Sequence, residues 1–202
     1  MIQLISIIIV LLIIFQVKKK YELLKNYNGK LVSEEYELGE VVDEELFWSE
    51  IGNNYSINYN EQLKLIADSL TKKSKEEIIR FRNTFDLLMI HSYDSNLWEK
   101  AYAINFGCSD DSFEYFRSWV ISQGKDKFYN TLSDPNYLIY FAKKEIFQNY
   151  EGLHYVADEV ADLKGFSIAR NSQLPGYELK GNANIESGVF KNFGMSIATL
   201  FN

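Results

Sequence analysis

Ser74-Lys75-Glu76-Glu77-Ile78-Ile79-Arg80-Phe81-Arg82-Asn83-Thr84-Phe85-Asp86-Leu87-Leu88-Met89-Ile90-His91-Ser92 is the stretch that decides the fold class. Ser74 with Glu77 three residues later is a capping box, in which the serine hydroxyl and the glutamate carboxylate each take a backbone N–H left free at a helix start. Ile78, Phe81, Phe85, Leu88 and Met89 then recur at spacings of three and four. That period puts them on one face of a helix, so the stretch predicts a long amphipathic helix ending near Ser92.

The chain on either side repeats the pattern. Asp43-Glu44-Glu45 is an acidic first turn, which suits the positive end of a helix dipole. It precedes Leu46, Phe47 and Ile51, and Gly52-Asn53-Asn54 ends that short helix. Asn60 is placed to cap a helix carrying Leu63, Ile66, Ala67 and Leu70, closed by Lys72-Lys73. Ser95 or Asn96 opens another through Leu97, Trp98, Ala101, Tyr102 and Ile104, stopped at Gly107. Ser109 caps the next, with Phe113, Phe116, Trp119, Val120 and Ile121 before Gly124. Asp134-Pro135 puts proline at a first helical position. A helix from about Ile146 to Leu163 carries Leu153, Val156, Ala157, Val160 and Ala161, and Gly165 ends it. Pro175, Gly176 and Gly181 mark irregular chain, and Gly188 to Leu200 is expected as a last, weaker helix. Nowhere does a period of two persist over several strands. The expected class is all-α: a single compact multi-helix domain over residues 43–202.

Residues 1–20 are different material. Met1 to Val17 carry no charged side chain, and Lys18-Lys19-Lys20 follows directly. Seventeen helical residues reach about 25 Å, slightly short of a ~30 Å hydrocarbon core, a deficit that snorkelling lysines and local thinning absorb. A cleaved signal peptide would need positive charge before the run and small residues after it, and the order here is reversed. We therefore expect a single transmembrane helix at 1–20, seated in the lipid bilayer, with the lysines and the bulk of the chain on the cytoplasmic side. Residues 21–42 read as a juxtamembrane linker, with room for a short strand at Lys30-Leu31-Val32.

Of 21 basic residues three fall in the first twenty, and of 28 acidic ones none does, so the remainder carries a formal charge of −10. Such a domain does not attract phosphate backbones, and nucleic acid is an unlikely partner on charge alone. Cys108 is the single cysteine, which excludes an intrachain disulfide and any cysteine-rich zinc site. His91 and His154 are the only histidines, too few for most histidine-based metal sites. No metal and no cofactor is expected. There is no Gly-rich phosphate loop, no H-E-x-x-H and no G-x-S-x-G.

The densest stretch runs from Trp98 to Trp119. Trp98, Ala101, Ile104 and Gly107 lead into Cys108-Ser109-Asp110-Asp111, then Phe113, Tyr115-Phe116-Arg117, Trp119 and Gly124. With Phe47-Trp48 upstream, these residues resemble the bacterial family known as domain of unknown function 4240, whose pattern is W-x-x-A-x-x-I-x-x-G-C-S-D-D-x-F-x-Y-F-R-x-W. The likeness covers about Glu44 to Gly181, with Tyr150-Glu151 and Leu174-Pro175…Leu179-Lys180-Gly181 similar to the family's tail. It implies a helical bacterial domain and supplies no reaction. The apolar N-terminal run is not part of that pattern.

Read physically, Ser109 with Asp110 and Asp111 makes a strong helix cap, with two anions at the positive end of the dipole. The functional reading gives Asp110 and Asp111 acid–base or cation-binding work, with Asn105 or Glu114 as a third ligand. Adjacent aspartates point about 100° apart, which argues against chelation by the pair alone. Arg117 reads as half of a structural ion pair with Asp86, Glu99 or Asp110. The alternative is an anion-binding group in a pocket walled by Trp98, Tyr102 and Trp119. Cys108 would have a depressed thiol pKa if its side chain faced the helix N-terminus. His154, on an apolar stretch, reads as a satisfied core residue.

No complete catalytic set is legible. The expected function is a membrane-tethered, cytoplasmic helical interaction or regulatory domain with a protein partner, of the kind an immunity-type inhibitor represents. The alternative is an enzyme with its site at Gly107 to Arg117, in which Asp110, Asp111 or Arg117 does the chemistry and Trp98, Tyr102, Asn105 and Trp119 line a pocket or interaction surface.

Overall fold

Helix α4, Lys75–His91, runs through the core of the computed structural model, which describes residues 31–142 and 147–181. Its capping box forms as expected: Ser74 Oγ accepts from Glu77 N and Glu77 Oε2 accepts from Ser74 N. Ile78, Phe81, Phe85, Leu87, Leu88 and Met89 are all buried. Around α4 lie α1 (Val32–Glu35), α2 (Glu44–Asn53), α6 (Asp110–Ser122) and α8 (Val156–Leu163). Helices α3 (Tyr59–Leu70), α5 (Ser95–Asn105) and α7 (Lys125–Ser133), with 3-10 segments at Pro135–Tyr140 and Phe147–His154, complete the order. Every regular element among the described residues is a helix, and none is a strand. One isolated parallel bridge joins Asp94 to Lys180.

The caps show where local signals were sufficient. Ser109 Oγ accepts from Ser112 N at 3.2 Å as expected, while Asp43, read from sequence as part of an acidic first turn, is itself the cap, its Oδ1 accepting from Leu46 N at 2.8 Å. Two caps sit a little upstream of their expected residues. Asn58, not Asn60, caps α3, and Asp94, not Ser95 or Asn96, caps α5. Helix α7 carried no sequence signal strong enough to single it out: it starts after Gly124, at φ +96°, with no side-chain cap.

The expected continuous helix from Ile146 to Leu163 is replaced, within the described residues, by a 3-10 segment and then the short α8. The physical reason is close backbone packing. Tyr59 Oη accepts from Leu153 N at 2.9 Å and Ser118 Oγ donates to Tyr150 O at 2.8 Å, so side chains of α3 and α6 use backbone groups an α-helix would pair internally. Gly152 packs closely on α3 as well, where a Cβ would lie 2.3 Å from Leu63 Cδ1.

The region before residue 43 also differs from expectation. Instead of a strand at Lys30-Leu31-Val32, Val32 begins α1 and is buried, as is Val42. A buried carboxylate draws this segment in: Glu44 Oε1 accepts from Ser33 N at 2.8 Å, and Oε2 accepts from Trp48 Nε1 at 2.9 Å and from Tyr129 Oη. Residues 31–42 are therefore packed chain rather than tether. The expected transmembrane helix at 1–20 and the weaker helix at Gly188 to Leu200 lie outside the described residues. Among those described, no helix is long and apolar enough to cross a membrane.

Candidate functional site

Asp110, Glu114 and Arg117 stand at i, i+4 and i+7 on α6, one face of the helix. That face looks onto a cavity of about 380 Å³ whose other walls are Tyr93, from the turn between α4 and α5, and Tyr177, from the irregular C-terminal segment. The bridge at Asp94–Lys180 positions Tyr177. Ser95 N donates to Lys180 O and Lys180 N to Tyr93 O, both at 2.9 Å. Gly181, at φ +84°, lies so close to the start of α5 that a Cβ would meet Ser95 Oγ at 2.5 Å.

Arg117 is the centre of this arrangement. It is 3 % exposed, and its guanidinium carbon lies 4.9 Å from the Tyr93 ring centroid, 5.0 Å from Phe113 and 5.9 Å from Tyr177. Nη1 donates to the Met89 carbonyl, while Nε is buried without any hydrogen-bond partner. Among the described residues no carboxylate oxygen comes within 4 Å of the group. The ion pair expected with Asp86, Glu99 or Asp110 is not formed: Asp86 pairs with Arg82 instead, and aromatic rings occupy the space beside Arg117. Burial works against the guanidinium's charge, and Tyr177, Glu114, Tyr93 and Asp110 counter it electrostatically from a distance. Burial, more than the neighbouring Asp110, also holds the Tyr93 phenol above its ordinary range, and Tyr177 is raised for the same reason. Both rings stay protonated and able to donate at neutral pH.

A second cavity of about 400 Å³ shares Glu114 and Tyr177 with the first and adds Arg82, Asp86, His154 and Arg170. Arg82 is already engaged, by Asp86 and by Asp158 Oδ2 at 2.9 Å. His154 sits edge-on to Phe85, 4.9 Å between centroids, with Nδ1 3.4 Å from Glu114 Oε1. Its pKa is nonetheless pushed down to about 4, because burial, Arg82 and Arg117 all oppose a proton and outweigh one half-exposed carboxylate. Nε2 is buried without a partner, so His154 is not the satisfied core residue expected.

The other expected site residues separate into layers. Trp98 stacks on Phe113 at 4.8 Å and 13°, and its Nε1 donates to Cys108 O. Trp119 points the other way, 1 % exposed and stacked on Phe141 at 5.4 Å. Tyr102 and Asn105 are half-buried on α5, and neither lines either cavity. Asp111 is exposed and lines neither cavity. The Cys108 thiol is the reverse of activated: burial pushes it up to about 12, with Arg117 opposing only in part. Among the described residues no three His, Cys, Asp or Glu side chains gather as a metal ion would require. Tyr93 and Tyr177 were not singled out from sequence. For Tyr177 one indirect signal existed, its place between Leu174-Pro175 and Leu179-Lys180-Gly181, the family-like tail.

Residues 42–161 match the model of the family described as "Protein of unknown function (DUF4240)", and the chain belongs to that family. No curated protein and no solved structure matches it.

Proposed function

We propose that this DUF4240 member is a regulatory or interaction domain that recognises a charged group in the Tyr93–Arg117–Tyr177 cavity, tethered to a membrane through residues 1–20 with the domain on the cytoplasmic side. One observation carries the binding reading: the buried guanidinium of Arg117 has an unpartnered Nε and, among the described residues, no carboxylate in contact. Holding such a charge out of water costs several kcal/mol unless partners repay it. Here one carbonyl and three rings repay part, and a ligand group entering the cavity supplies the rest. The volume, about 380 Å³, falls within the range of small-ligand pockets. The tether rests on the uncharged run from Met1 to Val17 and the lysines after it. An immunity-type inhibitor of a protein acting at the membrane fits that placement.

The test uses the full chain in its own membrane, with partners captured by cross-linking. Arg117→Gln is expected to lose the captured partner while keeping its helical spectrum, and Asp111→Asn to keep it. Capture undiminished in Arg117→Gln overturns the reading. Deleting residues 1–20 is expected to release the chain into the soluble fraction, and firm retention in the membrane removes the tether.

The enzyme reading has its own supporting observation, the approach of His154 Nδ1 to Glu114 beside the second cavity. A carboxylate behind an imidazole is the usual orienter–base arrangement. One feature weighs against it: a base titrating at about 4 accepts protons poorly at neutral pH.

A further inference from the structure

The geometry points to a small zwitterion as the ligand of the Arg117 cavity: a molecule carrying a carboxylate and an ammonium on one short skeleton, of which the α-amino acids are the simplest class. This deepens the binding reading above and rests on it. The cavity offers one cation and two anions on a single helix face, Arg117 against Asp110 and Glu114, between two protonated phenols. A plain anion drawn to Arg117 would be placed against both carboxylates. A plain cation drawn to the carboxylates would leave the guanidinium as it is, buried with Nε unpartnered. A ligand with both charges answers both sides at once. Its carboxylate takes the guanidinium in charge-assisted hydrogen bonds, and its ammonium lies toward Asp110 and Glu114.

The acids are not otherwise consumed. Asp110 is exposed, and its only side-chain hydrogen bond among the described residues is with Tyr93 Oη at 3.5 Å. Glu114 has His154 Nδ1 at 3.4 Å, and that histidine is neutral above pH 5. The helix cap does not need Asp110, because Ser109 Oγ provides it. Tyr93 and Tyr177 stand 6.2 Å apart at 74°, giving an ammonium or an apolar side chain an aromatic face to lie on. Arg117, Asp110 and Glu114 together leave the cavity at −1, so basic amino acids should bind more tightly than acidic ones.

The experiment is titration calorimetry on the full chain in nanodiscs. The probes are L-lysine, L-leucine and L-glutamate, with acetate and ethylamine as the two halves and glycerophosphoethanolamine as the zwitterion a lipid headgroup would present. The expected result is amino-acid binding in the order lysine, leucine, glutamate, with acetate and ethylamine each weaker than leucine by about tenfold or more. Asp110→Asn, at an exposed position, is expected to weaken leucine by about tenfold while lowering the melting temperature only slightly, through the lost first-turn anion. Arg117→Gln is expected to abolish it.

Acetate binding as tightly as leucine makes the ligand a plain anion and overturns the inference. So does undiminished leucine binding in Asp110→Asn, or glycerophosphoethanolamine binding where amino acids do not. If no probe binds while Arg117→Gln still loses the cross-linked partner, the zwitterion is wrong and the binding site stands. If Arg117→Gln keeps both partner and probe, the site itself is wrong.

Discussion

Glu44 shows how one buried side chain organises its surroundings. Its carboxylate, 3 % exposed, accepts from the backbone of Ser33, the indole of Trp48 and the phenol of Tyr129, so three separate segments converge on two oxygens. Glu44→Ala leaves those donors without a buried acceptor, and denaturant unfolding is expected to show a loss of about 1–3 kcal/mol or more. The cap at Ser109 is a lesser matter, with Ser109→Ala costing about 1 kcal/mol. Trp119→Ala, which empties the core between Phe116 and Phe141, should cost about 3–5 kcal/mol. If Ser109→Ala proved as costly as Trp119→Ala, the placement of Trp119 in the core would be wrong. Asp110 is where stability and recognition come apart: its carboxylate faces the cavity, so its removal is expected to show in binding far more than in unfolding.

Among the elements, the segment from Phe166 to Gly181 lends walls to both cavities and has the least regular structure. It is held by two backbone hydrogen bonds at Lys180 and by the Lys180 ammonium, which reaches Tyr36 Oη at 3.2 Å and His91 Nδ1 at 2.9 Å. Gly181 has to be glycine on two grounds: its φ of +84° disfavours an L side chain, and Ser95 Oγ occupies the space a Cβ would take. Gly181→Ala is expected to displace this strap, take Tyr177 off the Arg117 cavity and weaken ligand binding, while helices α4 and α6 keep their far-UV signal. Hydrogen exchange at the Lys180 and Ser95 amides checks it directly. Unchanged protection there would show that the strap does not depend on the glycine.

For the molecule as a whole, His154 links stability to pH. Its folded pKa of about 4 lies below the ordinary 6.5, so between those values the unfolded chain binds the proton the folded chain refuses. Stability from keeping His154 neutral is therefore complete above pH 6.5 and is lost as pH falls toward 4, by an amount of order 3 kcal/mol. Urea midpoints measured from pH 7 to 5 should decline. His154→Gln should flatten that decline, and an equal slope in both proteins would show that other groups carry it. On the same scale, sequence alone determined the helical class, the caps at Ser74 and Ser109 and most of the core positions from Ile78 to Trp119. Those are set by hydrogen bonds and hydrophobic periods spanning three or four residues, which a linear reading contains. Only the tertiary structure decided that Arg117 meets Tyr93, Phe113 and Tyr177 instead of a carboxylate, that Glu44 gathers Ser33 and Tyr129, and that residues 147–154 wind as a 3-10 segment. Each of these depends on groups far apart in the chain competing for one buried donor, acceptor or ring face, and that competition is resolved by packing rather than by spacing.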